Sequence, residues 1–190
     1  MAIFCKRFAI GKDTTVLDMG GGAFNWTMVP ELPRLTILDV YEHGNKVDWA
    51  TYVVGDGCKT DFKTGDFDVV FSNSVIEHVG GIERQKQFAA ECMRCGRGFF
   101  VQTPNKWFPF DTHTLMPFAH WLPQGVFRKL LCFSPRFMFF KTDPGDMHDF
   151  RNMHLLSKRD MRKLFPGADI IEEKFLGITK SLIAASPTQK

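Results

Sequence analysis

The sequence predicts an α/β fold: an open, mostly parallel sheet with helices on both faces. Three observations predict it. Short apolar, β-branched runs recur through the first hundred residues. Stretches long enough for a crossover separate them, as parallel strands buried on both faces require. Glycines and acids gather just after the runs, at the strand ends where open α/β sheets hold ligands.

Each element can be justified in order. Residues 14–19 (TTVLDM) run into Gly20-Gly21-Gly22, a strand ending in a glycine turn. Residues 23–29 form a short helix that Pro30 and Pro33 stop. Residues 35–40 (LTILDV) make a second strand, with Asp39 near its end. Residues 51–54 make a third, followed by Gly55-Asp56-Gly57, and residues 67–72 (FDVVFS) a fourth. An amphipathic helix is expected over 82–95 and a fifth strand over 98–102. Ser157 is a good N-cap for a helix ending before Pro166. Two closing strands are expected near 169–175 and 181–185, and the tail SPTQK is expected to fray.

Composition excludes several classes. A chain of 190 residues reads as a single domain, 1–190, able to bury a core without staples. Lys and Arg number 24 against 21 acids, a net +3, too mild for a nucleic-acid-binding face. Five Cys without framework spacing suggest reduced thiols and a cytoplasmic chain. No apolar run reaches the roughly 18 residues of a membrane span, and residues 1–15 lack the pattern of a secretory signal. Cys92-x-x-Cys95 lacks two further ligands at plausible spacing, so no metal site is expected.

The glycine turn is the first informative motif. A strand feeding such a turn surrounds a ligand with backbone N–H groups, and glycine lets that ligand approach. Asp39 lies 39 − 18 = 21 residues after Asp18, where an acid can accept from both hydroxyls of a ribose. An ordinary tight turn with a solvated acid would look the same. A nicotinamide dinucleotide site fits less well: Gly20 and Gly22 suit G-x-G-x-x-G, but Asn25 stands where the third glycine packs helix on strand.

The chain resembles class I S-adenosylmethionine-dependent methyltransferases, which have a Rossmann-like sheet with an antiparallel terminal strand. VLDMGGGAF resembles their first motif through Asp18, Gly20 and Gly22, with Phe24 at its last glycine. LTILDV, GDGCKTDF, FDVVFSNSVIEHV and FFVQTPNKW resemble the later strand ends, so the match runs over about 14–105. The resemblance implies S-adenosyl-L-methionine as cofactor. Asp18 would order the glycine loop, with Gly20, Gly21 and Gly22, and face the methionine end. Asp39 would take the ribose. Asp56, Gly57 and Cys58 would edge the adenine, and Asn73 and Ser74 would line the floor by the transferred methyl. At Phe24 the turn would widen, or the ring would stack near the cofactor. Only 15 residues precede Val16, where lookalikes usually carry a covering helix. That implies a more exposed cofactor, a covering partner or an incomplete reading frame.

Methyl transfer is an in-line displacement in which orientation carries much of the rate, so no obligatory catalytic residue follows from the motif. Residues 105–156 are expected to form a helical, aromatic lid. Within it, 107–140 hold eight Phe and two Trp. His113, beside Asp111, and His120 are candidate bases, although a packed or surface histidine is the more ordinary reading. The rings would pack as a mini-core, line an apolar acceptor pocket, or dip into a membrane surface beside Arg128, Lys129, Arg136 and Lys141. The expected partner is a small-molecule or lipid-like acceptor, with peripheral membrane contact as an option. A base-modifying enzyme is disfavoured, because NSVI replaces the Pro-Pro run that the resemblance would require. A binding or regulatory domain that kept the fold without catalysis is the alternative.

Overall fold

The computed structural model describes residues 1–111, 116–122, 124–130, 134 and 153–187. A seven-stranded sheet dominates, in the order β3-β2-β1-β4-β5-β9-β8. Its strands are β1 (Thr15–Met19), β2 (Arg34–Asp39), β3 (Ala50–Val54), β4 (Phe67–Asn73), β5 (Gly96–Pro104), β8 (Asp169–Phe175) and β9 (Ile178–Ala185). Strands β1 to β5 are parallel, while β9 runs antiparallel to β5 and to β8. This is the Rossmann-like architecture expected, antiparallel terminal strand included.

β1 sits near the middle of the sheet, with Val16 beside Leu35 on one side and Val69 on the other. Asp68 anchors its start, accepting from the Thr15 backbone N–H at 2.9 Å and the Thr15 hydroxyl at 2.8 Å. Side chains alternate across the strand, so two cores form. Leu17, Met19 and Val70 face α2 (Ile82–Cys95) and α4 (Lys158–Leu164), meeting Phe88, Met161 and Phe165. Val16, Val69 and Phe71 face the other way, meeting Phe4, Trp26 and Phe100. Ser157 caps α4 in a reciprocal capping box with Asp160.

The structure adds a helix that the sequence did not announce. α1 (Ala2–Phe8) places Phe4 and Phe8 one turn apart, ring centroids 5.6 Å apart. Phe4 is wholly buried against Trp26, Phe71 and Phe100. Arg7 ties the helix to the far sheet edge, donating from Nε to the Ser186 carbonyl at 3.1 Å and pairing with Asp169.

The segment after the glycine turn forms a short helix, of the 3-10 type, over Ala23–Met28. β5 starts at Gly96, directly after α2, two residues before the expected 98. The described part of the insert opens with a short hairpin, β6 (Phe110–Asp111) and β7 (Met116–Pro117). A 3-10 turn, Ala119–Trp121, and helix α3 (Gln124–Leu130) follow. Among the described residues, no helix is long and apolar enough to cross a membrane, and Cys5, Cys58, Cys92 and Cys95 are free thiols.

Candidate functional site

The sheet order reverses between β1 and β4, and the C-terminal ends of the parallel strands open there into a cleft of about 440 Å³. A crevice at such a reversal is where open α/β sheets take ligands. The turn after β1 contributes Gly20, β2 contributes Asp39, the turn after β3 contributes Asp56 and Gly57, and β4 leads to Ser74. Apolar walls come from Leu38, Val40, Val79 and Phe88.

Gly20 has φ +76°, and its N–H donates to the Leu38 carbonyl at 2.7 Å. A Cβ here would fall 2.5 Å from Val75 Cγ1. Gly21 lies over the Asp18 carboxylate, which would occupy the place of any Cβ. Asp18 is completely buried. Its Oδ2 accepts from Trp26 Nε1 at 2.7 Å, while its Oδ1 meets no hydrogen-bond partner among the described residues. Burial pushes the carboxyl up to about 7 against the opposing Trp26 hydrogen bond, and the nearby Asp39 charge adds to the rise. Asp18 thus supports the glycine turn from beneath and does not line the cleft.

Asp39 stands at the rim with one oxygen accepting from the Tyr41 N–H at 3.2 Å. His43 Nε2 lies 3.1 Å from the other. Asp56 is held more firmly. Arg84 Nη2 donates to both of its oxygens, at 2.8 and 2.9 Å, and the Cys58 N–H donates to Oδ1 at 2.9 Å. Partial burial works to raise its pKa, but these donors prevail and hold it below its ordinary value. Cys58 itself is buried behind the wall. Its thiol donates to the Arg84 carbonyl, and burial pushes it up to about 11.

The exit of β4 is fixed by buried hydroxyls. Ser72 donates to the Met19 carbonyl at 3.0 Å, and Thr103 donates to the fully buried Glu77 at 2.9 Å. Ser74 therefore turns in a left-handed conformation, φ 57°, its N–H bonded to the Gln102 carbonyl at 3.0 Å.

Of the residues expected from sequence, Gly20, Asp39, Asp56, Gly57 and Ser74 meet at the cleft. Asp18, Gly21, Gly22, Cys58 and Asn73 stand outside its lining. Phe24 is 76% exposed and also away from it. His113 lies outside the described residues; His120 belongs to the 3-10 turn, and its side chain lies outside them too. Sequence reading missed Arg84, which stands in the cleft wall beside His78. Arg84's acidic partner is 28 residues away, too far for a local pattern to show. Among the described residues, no cluster of His, Cys, Asp or Glu has metal-holding geometry.

The Methyltransferase domain family matches residues 33–98. The strand order is that of the class I methyltransferase fold, and the family match lies within its parallel half. Solved structures share the fold at low identity. A Rhodobacter sphaeroides protein carrying the provisional label of a Zn-dependent alcohol dehydrogenase gives TM-score 0.63 at 12% identity, with 97% of this chain and 86% of that one covered. The magnesium protoporphyrin IX methyltransferase of Synechocystis gives 0.55 at 13%, covering 97% and 80%. Phosphoethanolamine N-methyltransferase 2 of Haemonchus contortus gives 0.58 at 16%, covering 90% of this chain but 37% of that longer one. Comparison with curated proteins gives no match.

Proposed function

We propose that the chain moves a methyl group from S-adenosyl-L-methionine to a small-molecule or lipid-like acceptor. The observation that carries this reading is the placement of Asp39 and Asp56 around one cleft, at the end of the glycine turn. The cleft fits a nucleoside: two carboxylates at separate points of an apolar-walled volume within the usual range for small ligands. One of the three neighbours above carries a dehydrogenase label, and the other two are named as methyltransferases.

Bound S-adenosyl-L-methionine supplies a methyl group on a sulfonium, open to in-line displacement. This chain's residues bind and orient. Asp39 accepts from ribose hydroxyls, and Asp56 and Gly57 edge the adenine, with Cys58 behind them holding Asp56 through its N–H. Gly20 admits a close approach to the backbone. Gly21, Gly22 and Asp18 shape that turn, while Ser74, which Asn73 leads into at the end of β4, closes the floor. Residues 105–156 would cover the acceptor, with His113 or His120 removing a proton where the acceptor atom needs it. Free thiols at four described cysteines suit a reducing, cytoplasmic setting.

Calorimetric titration with S-adenosylhomocysteine tests the cofactor half of the reading. Saturable binding is expected, and none at millimolar ligand refutes it. Labelled S-adenosyl-L-methionine with cell extract tests transfer. The Arg84–Asp56 pair supports one alternative, a non-catalytic domain of the same fold, because it occupies the proposed adenine acid. Binding without transfer to any acceptor favours that alternative.

A further inference from the structure

The closing hairpin carries an unusual tip. Phe175 and Ile178 pair across it, so Leu176-Gly177 is a two-residue loop. Both loop residues have positive φ, 49° at Leu176 and 82° at Gly177. Such turns follow the strand twist and favour Asn-Gly or Asp-Gly, because most side chains are strained at the first position. Leu is unfavourable there in two ways. Its backbone is strained, and its side chain is 88% exposed, beside Phe175 at 57% and Ile178 at 49%. Folding supplies no reason for three apolar side chains at this place. Clustered exposure of this kind marks contact with something apolar.

The position of the tip is informative. β9 runs antiparallel to β5, so the tip stands at the edge of the sheet where the cleft opens. Asn105 joins it to the chain leaving β5: its N–H donates to the Lys180 carbonyl and its amide to the Thr179 carbonyl, both at 2.9 Å. Two residues on, Trp107 is 60% exposed. Exposed Lys174 and Lys180 flank the tip. Glu172 and Glu173, further down the same hairpin, already accept from Lys158, Thr179 and Ser181. The result is an apolar point bracketed by cations, with an indole at its margin. Lipid–water interfaces favour that order of chemistry, with apolar groups entering, Trp at the boundary and Lys at the phosphates.

We propose that hairpin tip 175–178, with Trp107, Lys174 and Lys180, docks on an anionic membrane surface and presents the cleft edge of the sheet to it. The contact goes beyond the methyl-transfer reading and does not depend on it. Co-sedimentation with phosphatidylcholine vesicles, with or without about one-third phosphatidylserine, tests it. Binding at least tenfold stronger to the anionic vesicles is expected, weakening as salt is added. Leu176→Asn should lose most of that binding while thermal stability holds or rises, because Asn-Gly suits the turn. Lys174→Glu combined with Lys180→Glu should remove the preference for phosphatidylserine. Absence of binding to the anionic vesicles overturns the proposal, as does equal binding by wild type and L176N. Tip-dependent self-association without vesicle binding also overturns it, in favour of a protein contact.

Discussion

Trp26 Nε1 donates to Asp18 Oδ2 at 2.7 Å, and this bond lies directly beneath Gly21. A buried carboxylate, an indole and a glycine turn therefore form one unit. The carboxyl is buried and its second oxygen has no partner among the described residues, so the charged form is poorly solvated and the carboxyl rises to about 7.

Stability should depend on pH through this group. The ordinary carboxyl value is 3.8 and the folded value about 7, so the folded state holds the extra proton between them. Stability therefore falls as pH rises across that window. Urea unfolding should show a loss of roughly 2–3 kcal/mol between pH 5 and pH 8. Asp18→Asn should flatten the slope. An unchanged slope in the variant would place the titrating group elsewhere.

Gly21→Ala tests the same unit sterically. The added methyl would collide with a carboxylate that is buried and tethered to Trp26, so the neighbour cannot swing aside. A destabilisation of about 3 kcal/mol is expected in chemical denaturation. Gly22→Ala is the control: nothing lies within 4 Å of the position a Cβ would take, and its φ is −144°.

The same distinction explains what the sequence made legible. Strands β1, β2 and β4 are short apolar runs with an acid or a glycine at the end, and both signals are local. Gly20, Asp39 and Asp56 were readable for that reason. α1 was not, because its signal is two Phe one turn apart, and its reason for forming lies in Trp26, Phe71 and Phe100. Arg84 was hidden in an amphipathic helix where any exposed charge looks alike. Asp18 was read as facing the ligand, although its strand position equally allowed burial beneath the turn. Which of the two occurs depends on Trp26, eight residues away.

Phe4→Ala should cost about 3–5 kcal/mol, a large core truncation among four aromatic neighbours. Thermal unfolding of the variant checks this. A loss under 1 kcal/mol would mean that α1 merely rests on the sheet.

Asp39→Ala separates binding from folding. The residue sits at the cleft rim, where its contacts are the Tyr41 N–H and His43. Stability should change by no more than about 0.5 kcal/mol. Affinity for S-adenosylhomocysteine should fall at least tenfold in calorimetry, because a ribose would lose a charged acceptor. Unchanged affinity would remove Asp39 from the site.

Arg84→Ala decides what the pair with Asp56 does. Both side chains are more than 40% exposed, so solvent screens the pair and its loss should cost no more than about 0.5–1 kcal/mol of stability. Its effect on the ligand should be larger. Arg84 touches both Asp56 oxygens while the Cys58 N–H holds one of them, which fixes the plane of the carboxylate. A carboxylate retains lone pairs beyond those bonds, so an adenine amine can still donate to it. Freed from Arg84, Asp56 would rotate, and affinity for S-adenosylhomocysteine should fall several-fold, with Arg84→Lys recovering only part because ammonium lacks the planar fork. A rise in affinity on removing Arg84 would mean instead that the guanidinium obstructs the site, and would favour the non-catalytic reading of this fold.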